Sequence, residues 1–224
     1  MRRALILAIF LVYGGVDVFW PLHRDLRQFD PAAVAKLETK MWQSYYAQQR
    51  AQLFFELAEM LRTQYQFPLL RSYFGAYRGA LAAFLFKEGQ RRADYEKALP
   101  ALQAYFGMIR NTGSVDFDAR RAAALELEWW IVHRDRARYP SGALGRACAE
   151  ATAYVYQVSA DSTLVHGQLR AEAMMIRDTR ADSGNVTEAD WTNIESLLRR
   201  SYQTLRRALS DPVVMPASPG PVPG

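Results

Sequence analysis

Asp30-Pro31-Ala32-Ala33-Val34-Ala35-Lys36-Leu37-Glu38-Thr39-Lys40-Met41-Trp42-Gln43-Ser44-Tyr45-Tyr46 opens a stretch that continues to Gln66 with no internal Gly or further Pro. An aspartate followed by a proline is a helix start: the carboxylate caps the first free N–H groups, and the fixed φ of proline suits the first turn. Apolar residues then recur at helical rather than alternating spacing. The stretch reads as one helix of 36 residues, Pro31 to Gln66, ended by Phe67-Pro68.

The same grammar carries outward. A second helix runs from Pro68 to Glu88 and stops at Gly89, and a third runs from Arg92 to Arg110, kinked by Pro100 and ended by Asn111-Thr112-Gly113. Asp116 opens a fourth through Asp135; Tyr139-Pro140-Ser141-Gly142 separates it from a fifth, Ala143 to Ala160. A sixth covers Thr163 to Ala181, and Thr187-Glu188-Ala189-Asp190 has the capping-box pattern for a seventh, Glu188 to Leu209. No strand pattern flanked by turns competes with these. About seven helices joined by short breaks predict an all-α, antiparallel multi-helix bundle.

The chain has 224 residues, 50% of them hydrophobic and 12% aromatic, enough for one domain to bury a core without staples. A single cysteine, Cys148, excludes a disulfide framework and a Cys-built zinc site, and its place beside Leu144 and Val155 marks it as a core residue. The net charge of +5 is not a nucleic-acid footprint. Only four of the 28 basic residues are Lys, and acids are interspersed among the 24 Arg. The one dense basic group is Arg199, Arg200, Arg206 and Arg207, a polyanion-binding face as an alternative to a solvated helix end.

Met1-Arg2-Arg3 precedes ten apolar residues, Ala4 to Tyr13, and the apolar character extends to Leu22. Residues 4–22 are long enough for a transmembrane signal anchor, with Trp20 at interface depth and Asp17 as its one acid. The positive start places the helical domain on the exported, periplasmic or extracellular side. The alternative is a signal peptide cleaved near Gly14. Three regions follow: an anchor and juxtamembrane stretch over 1–28, a helical domain over 29–210, and a Pro-rich tail without helix potential over 211–224.

Catalytic signatures are absent: no Gly-rich phosphate loop, GxSxG, HExxH or CxxC. Helical-wheel placement sets Glu128 on the apolar face of Phe117, Ala124, Leu125, Ile131 and Val132. It sets Glu172 on the face of Val165, Leu169, Ala173 and Ile176, and Glu38 among Val34, Met41, Trp42 and Tyr45. A buried carboxylate needs a cation, a hydrogen-bond partner or a raised pKa. Arg71, Arg78, Arg170 and Arg177 are the candidate ion-pair partners, and Tyr45, Tyr46, Trp129 and Trp130 among the candidate donors. A metal held by Glu38, Glu128, Glu172 and His166 is the sharper alternative, since inward carboxylates from several helices build di-iron and di-manganese bundles. The Glu-x-x-His motif of those bundles is missing: His133 follows Glu128 by five positions and His166 precedes Glu172 by six. The chain is therefore expected to be a non-catalytic, membrane-tethered module that binds a partner protein or an apolar ligand; its cofactor is left open, with none favoured over a metal. A metal-binding enzyme or sensor is the alternative.

Overall fold

The computed structural model describes residues 12–18, 20–113 and 115–210. Their helices from residue 31 onward are α1 (Pro31–Tyr46), α2 (Arg50–Thr63), α3 (Leu69–Glu88), α4 (Arg92–Tyr95), α5 (Leu99–Thr112), α6 (Ala119–Arg134), α7 (Ala143–Tyr156), α8 (Leu164–Asp182) and α9 (Glu188–Ser210). Residues 12–18 are helical as well. No strand is present among the described residues, only an isolated bridge between Arg24 and Gly113. The all-α reading holds, and the Pro-rich tail lies outside the described residues.

Two long helices are divided. The stretch Pro31 to Gln66 breaks at Ala47–Gln49, where Gln48 turns through a left-handed backbone with φ 58°. Ala47 N–H bonds the Gln43 carbonyl at 2.9 Å and Gln49 N–H that of Ser44 at 2.8 Å, so the end of α1 is satisfied without a glycine. An unbroken rod of that length would reach about 54 Å and leave Leu53, Leu57 and Leu61 far from the rest of the core. The stretch Arg92 to Arg110 splits into α4, a 3₁₀ turn (Glu96–Ala98) and α5, with Pro100 in the first turn of α5, where its missing N–H costs nothing.

Other ends are set by local bonds. Asp30 Oδ1 accepts from Ala32 N–H at 2.8 Å, and Asp118, two residues beyond the expected cap, accepts from Arg120 N–H at 2.8 Å. The capping box closes in both directions: Thr187 N–H bonds Asp190 Oδ2 at 2.9 Å, and Asp190 N–H bonds Thr187 Oγ1 at 3.2 Å.

Each long helix packs against its neighbours in sequence, and α9 closes back onto α1. Eight helices, α1–α3 and α5–α9, form a ring, with α4 as a link between α3 and α5. Helices α7 and α8 cross closely. A Cβ on Gly167 would be driven onto the Gly145 carbonyl oxygen and to 2.8 Å from Ala149 N, so only glycine fits.

The chain ahead of α1 is built into this body. The Asp17 carboxylate caps α3, accepting from Arg71 N–H at 3.0 Å and Leu70 N–H at 3.4 Å. Leu22 N–H bonds the Asn111 carbonyl at 2.7 Å, Arg24 N–H bonds that of Thr112 at 2.9 Å, and Leu26 and Phe29 enter the core. Residues 1–11 and 19 of the expected anchor lie outside the described residues; among those described, no helix is long and apolar enough to cross a membrane. Asp17, the one acid of that stretch, serves as the α3 cap. Val12, Tyr13, Val16 and Trp20 stay exposed, as do Phe55 on α2 and Leu69, Tyr73, Phe74 and Tyr77 on α3.

Candidate functional site

Closing eight helices into a ring leaves space along its axis. Two adjoining cavities of about 210 and 240 Å³ occupy it, and together they are lined from all eight ring helices. Glu38, Met41, Leu57, Tyr105, Glu126, Trp129 and Arg170 border both and form the wall between them.

Arg170 of α8 dominates that wall. Its guanidinium grips Glu38 of α1 with both ends, Nη2 to Oε1 at 2.5 Å and Nη1 to Oε2 at 3.0 Å. Tyr202 of α9 donates its hydroxyl to the same Oε2 at 2.5 Å. The guanidinium carbon lies 5.3 Å from the Trp129 ring centre and 5.9 Å from that of Trp42, so aromatic faces complete its shell. Burial works against this charge, but the carboxylate of Glu38, with smaller contributions from Tyr202, Cys148 and Glu126, holds the pKa above the ordinary arginine value. The two-pronged geometry is what allows a charged pair inside the protein.

Glu126 of α6 is held differently. Its Oε1 accepts a hydrogen bond from Trp130 Nε1–H at 3.1 Å, and among the described residues no ion pair within 4 Å joins it to a basic group. Burial raises its pKa above the ordinary carboxylate value, against the opposing pull of the Trp129 and Trp130 indoles and of Arg170. Burial thus favours its protonated form.

His166 and Cys148 lie deeper. His166 Nδ1 is 2.7 Å from Ser201 Oγ and 3.2 Å from the Ser201 carbonyl oxygen. Burial and the nearby Arg170 lower its pKa to about 3, so the imidazole is neutral. Burial raises the Cys148 thiol to about 12, the profile of a packing residue.

The rim on the α1–α6–α8 side is basic and aromatic. Lys87 Nζ–H bonds the Tyr45 carbonyl at 2.7 Å and lies 4.7 Å from the Tyr45 ring centre. Arg177 stacks on Tyr46 at 3.2 Å, and Arg134 on Phe86 at 4.8 Å. Asp178 answers part of this charge, meeting His133 Nε2 at 3.0 Å, Arg136 at 3.0 Å and Arg177 at 3.1 Å. Burial alone would raise its carboxyl, but His133, Arg177 and Arg136 outweigh that and lower it.

No protein family, curated protein or solved structure matches this chain. Its function has to be read from the lumen.

The residues singled out from sequence do not converge. Glu38 and His166 are inside the ring, but Glu128 and Glu172 face outward. Glu128 pairs at the surface with Arg92 at 2.9 Å, and Glu172 is exposed. Among the described residues no group of three or more His, Cys, Asp or Glu stands together as metal ligands would. The reason is the same in both helices. Polar and apolar residues are both distributed round α6, so apolarity does not choose its inner face; Ala124 is exposed and Leu125 half-buried. Glu126 and Glu128 sit about 200° apart, and a misplaced face exchanges them. On α8 the inward side carries Arg170 among its lining residues, while Val165, used to mark the apolar face, is exposed. A carboxylate four residues before an indole, as in Glu126 and Trp130, is the sequence signal that identifies the inward one.

The basic group on α9 is also dispersed. Arg199 pairs with Glu195 at 3.0 Å, Arg206 donates to Gln28 Oε1 at 3.0 Å and covers the Phe29 ring, and Arg200 and Arg207 are exposed.

Proposed function

We propose that this chain is a non-catalytic binding module that takes a small, largely apolar molecule with one hydrogen-bonding group into the lumen of its helix ring. The single observation that carries the reading is the shared wall of the two cavities. Trp, Tyr, Met and Leu side chains give apolar contact there, and Glu126 offers a carboxyl group that no basic side chain pairs among the described residues. Sites for small molecules are built in this way, with an apolar lining and few convergent polar groups. Arg170 and Glu38 satisfy each other and shape the wall rather than compete for the ligand.

The test uses 2-naphthol as probe and follows tryptophan emission, since Trp42, Trp129 and Trp130 line the lumen. Titration should quench saturably, and Ala83→Phe, which fills one cavity from α3, should weaken the affinity at least ten-fold with an unchanged helical spectrum. Non-saturable quenching, or the same affinity in Ala83→Phe, overturns the reading.

The membrane-held, exported placement belongs to the same proposal. It is supported by Arg2-Arg3 followed by the apolar run of residues 4–13. A reporter active only after export, fused behind Leu209, should give signal; activity only from a cytoplasmic reporter removes this part.

A further inference from the structure

Large apolar side chains are not spread evenly over the outside of the ring. Of the eleven that are well exposed among the described residues, nine lie on one face formed by residues 12–18 and 20, α2 and α3, and the other two, Val165 and Met175, lie on α8. Leu69, Tyr73 and Tyr77 follow one another at four-residue spacing along the outer side of α3. Phe54 of α2 stacks on Tyr73 with ring centres 5.9 Å apart and meets Phe55 at 5.1 Å. The helix at residues 12–18 extends the face past the start of α3, where Asp17 and Arg71 fix it and a Cβ on Gly14 would touch Leu70.

We propose that this aromatic face lies flat in the headgroup region of a lipid bilayer, so that the chain sits on the membrane with its ring partly embedded. The apolar run of residues 4–11 leads directly into Val12 at the edge of the face, so whatever takes up that run is brought against α3. The composition fits an interface rather than a protein pocket. Tyr13, Trp20, Tyr73 and Tyr77 pair an apolar ring with a polar edge, the residues that collect at headgroup depth. Arg78, whose guanidinium lies 5.7 Å from the Tyr77 ring centre, stands at the rim where lipid phosphates would be. Because Asp17 and the Trp20 carbonyl are bonded to Arg71, residues 17–24 serve this seating as part of the folded body.

The inference rests on the membrane attachment proposed above, and the experiment separates the two. Cys148 is buried with a raised thiol pKa, so single cysteines introduced elsewhere take a label selectively. Full-length Tyr73→Cys, Tyr77→Cys and, on α8, Val165→Cys carry nitrobenzoxadiazole and are mixed with phosphatidylcholine–phosphatidylglycerol (3:1) vesicles. The labels at 73 and 77 should brighten several-fold, shift to the blue and be quenched by spin-labelled lipid, while that at 165 should not change. Tyr73→Ser with Phe74→Ser should lower vesicle partition at least ten-fold. A chain that floats with vesicles while the labels at 73 and 77 still report water leaves the attachment standing and overturns the seating. Without flotation, both fall. Labels at 73 and 77 already shielded before vesicles are added show the face covered by residues 1–11 or by a second copy, which also overturns it.

Discussion

Arg71 and Arg170 are both taken out of water, and the protein solves the two burials differently. Arg170 meets a carboxylate end to end, with Tyr202 and two tryptophan faces around it. Arg71, fully buried, spends its guanidinium on main-chain oxygens: Nε on the Asp17 carbonyl at 2.8 Å, Nη2 on that of Trp20 at 2.5 Å and Nη1 on that of Asn111 at 3.2 Å, with Thr112 Oγ1 at 3.1 Å. Burial lowers its pKa despite the neighbouring Asp17, whereas that of Arg170 is raised. One arginine joins distant helices across the lumen. The other ties the start of α3 to residues 17 and 20 and to the last turn of α5. The first fixes an electrostatic site; the second acts as a latch.

Breaking the lumen pair should have the largest effect. Glu38→Gln keeps the shape but leaves the Arg170 charge uncompensated in the interior, at a cost of about 3–5 kcal/mol. For a chain of this size that is a fall of roughly 10 °C in Tm, read by circular dichroism. Because α1, α8 and α9 meet there, hydrogen exchange should speed up across the ring rather than at one end. A fall under about 1 kcal/mol would mean that Glu126 can take over the arginine, and the two carboxyl groups would then have to be treated as one site.

Arg71→Met tests the latch. It strips donors from three carbonyls and a threonine, which should cost about 2–3 kcal/mol as those groups lose their partners. The damage should be local. Trypsin should cut at Arg24 and Arg27 at least ten times faster, while the affinity of the lumen for 2-naphthol changes less than two-fold. Equal damage to probe binding would show that latch and lumen unfold as one unit.

The contrast also explains what could be read from the sequence. Helix ends announced themselves wherever a specific residue makes the end: Asp30-Pro31, Gly89, Gly113, and Thr187 with Asp190 all mark boundaries within a residue or two. The break at Ala47–Gln49 has no such marker, because the turn is made by an exposed glutamine in the left-handed region, with local backbone bonds closing the helix end. Inner faces were harder still. A helix in a solid bundle turns its most apolar side inward, but a helix lining a lumen can present Arg170 or Glu126 there. Hydrophobic periodicity then points to the side of the helix that meets its neighbours in the ring. Glu38 was placed correctly because Val34, Ala35 and Leu37 around it are buried. Glu128 and Glu172 were drawn inward by apolar residues that pack sideways or face solvent.

The smallest expected effect is the most specific to the site. Glu126 has a raised pKa in the folded chain, so the folded state holds its proton to higher pH than the unfolded state does. Its favourable contribution is therefore complete below the ordinary glutamate value of 4.5 and is lost as pH rises through the folded pKa. Glu126→Gln removes the ionisation and keeps an acceptor for the Trp130 N–H. At pH 4 the variant and its parent should be equally stable. Above pH 4.5 they should diverge, with the variant about 1 kcal/mol more stable at pH 8, the cost of a buried group that is charged without a partner. Glu128→Gln, out on the surface with Arg92, should stay within about 0.5 kcal/mol of the parent at every pH. Paired unfolding curves at pH 4, 6 and 8 decide the matter. A Glu126→Gln chain that is less stable than its parent at pH 8 would make Glu126 a second partner of Arg170. The lumen would then hold one saturated charge network, with no polar group left over for a ligand.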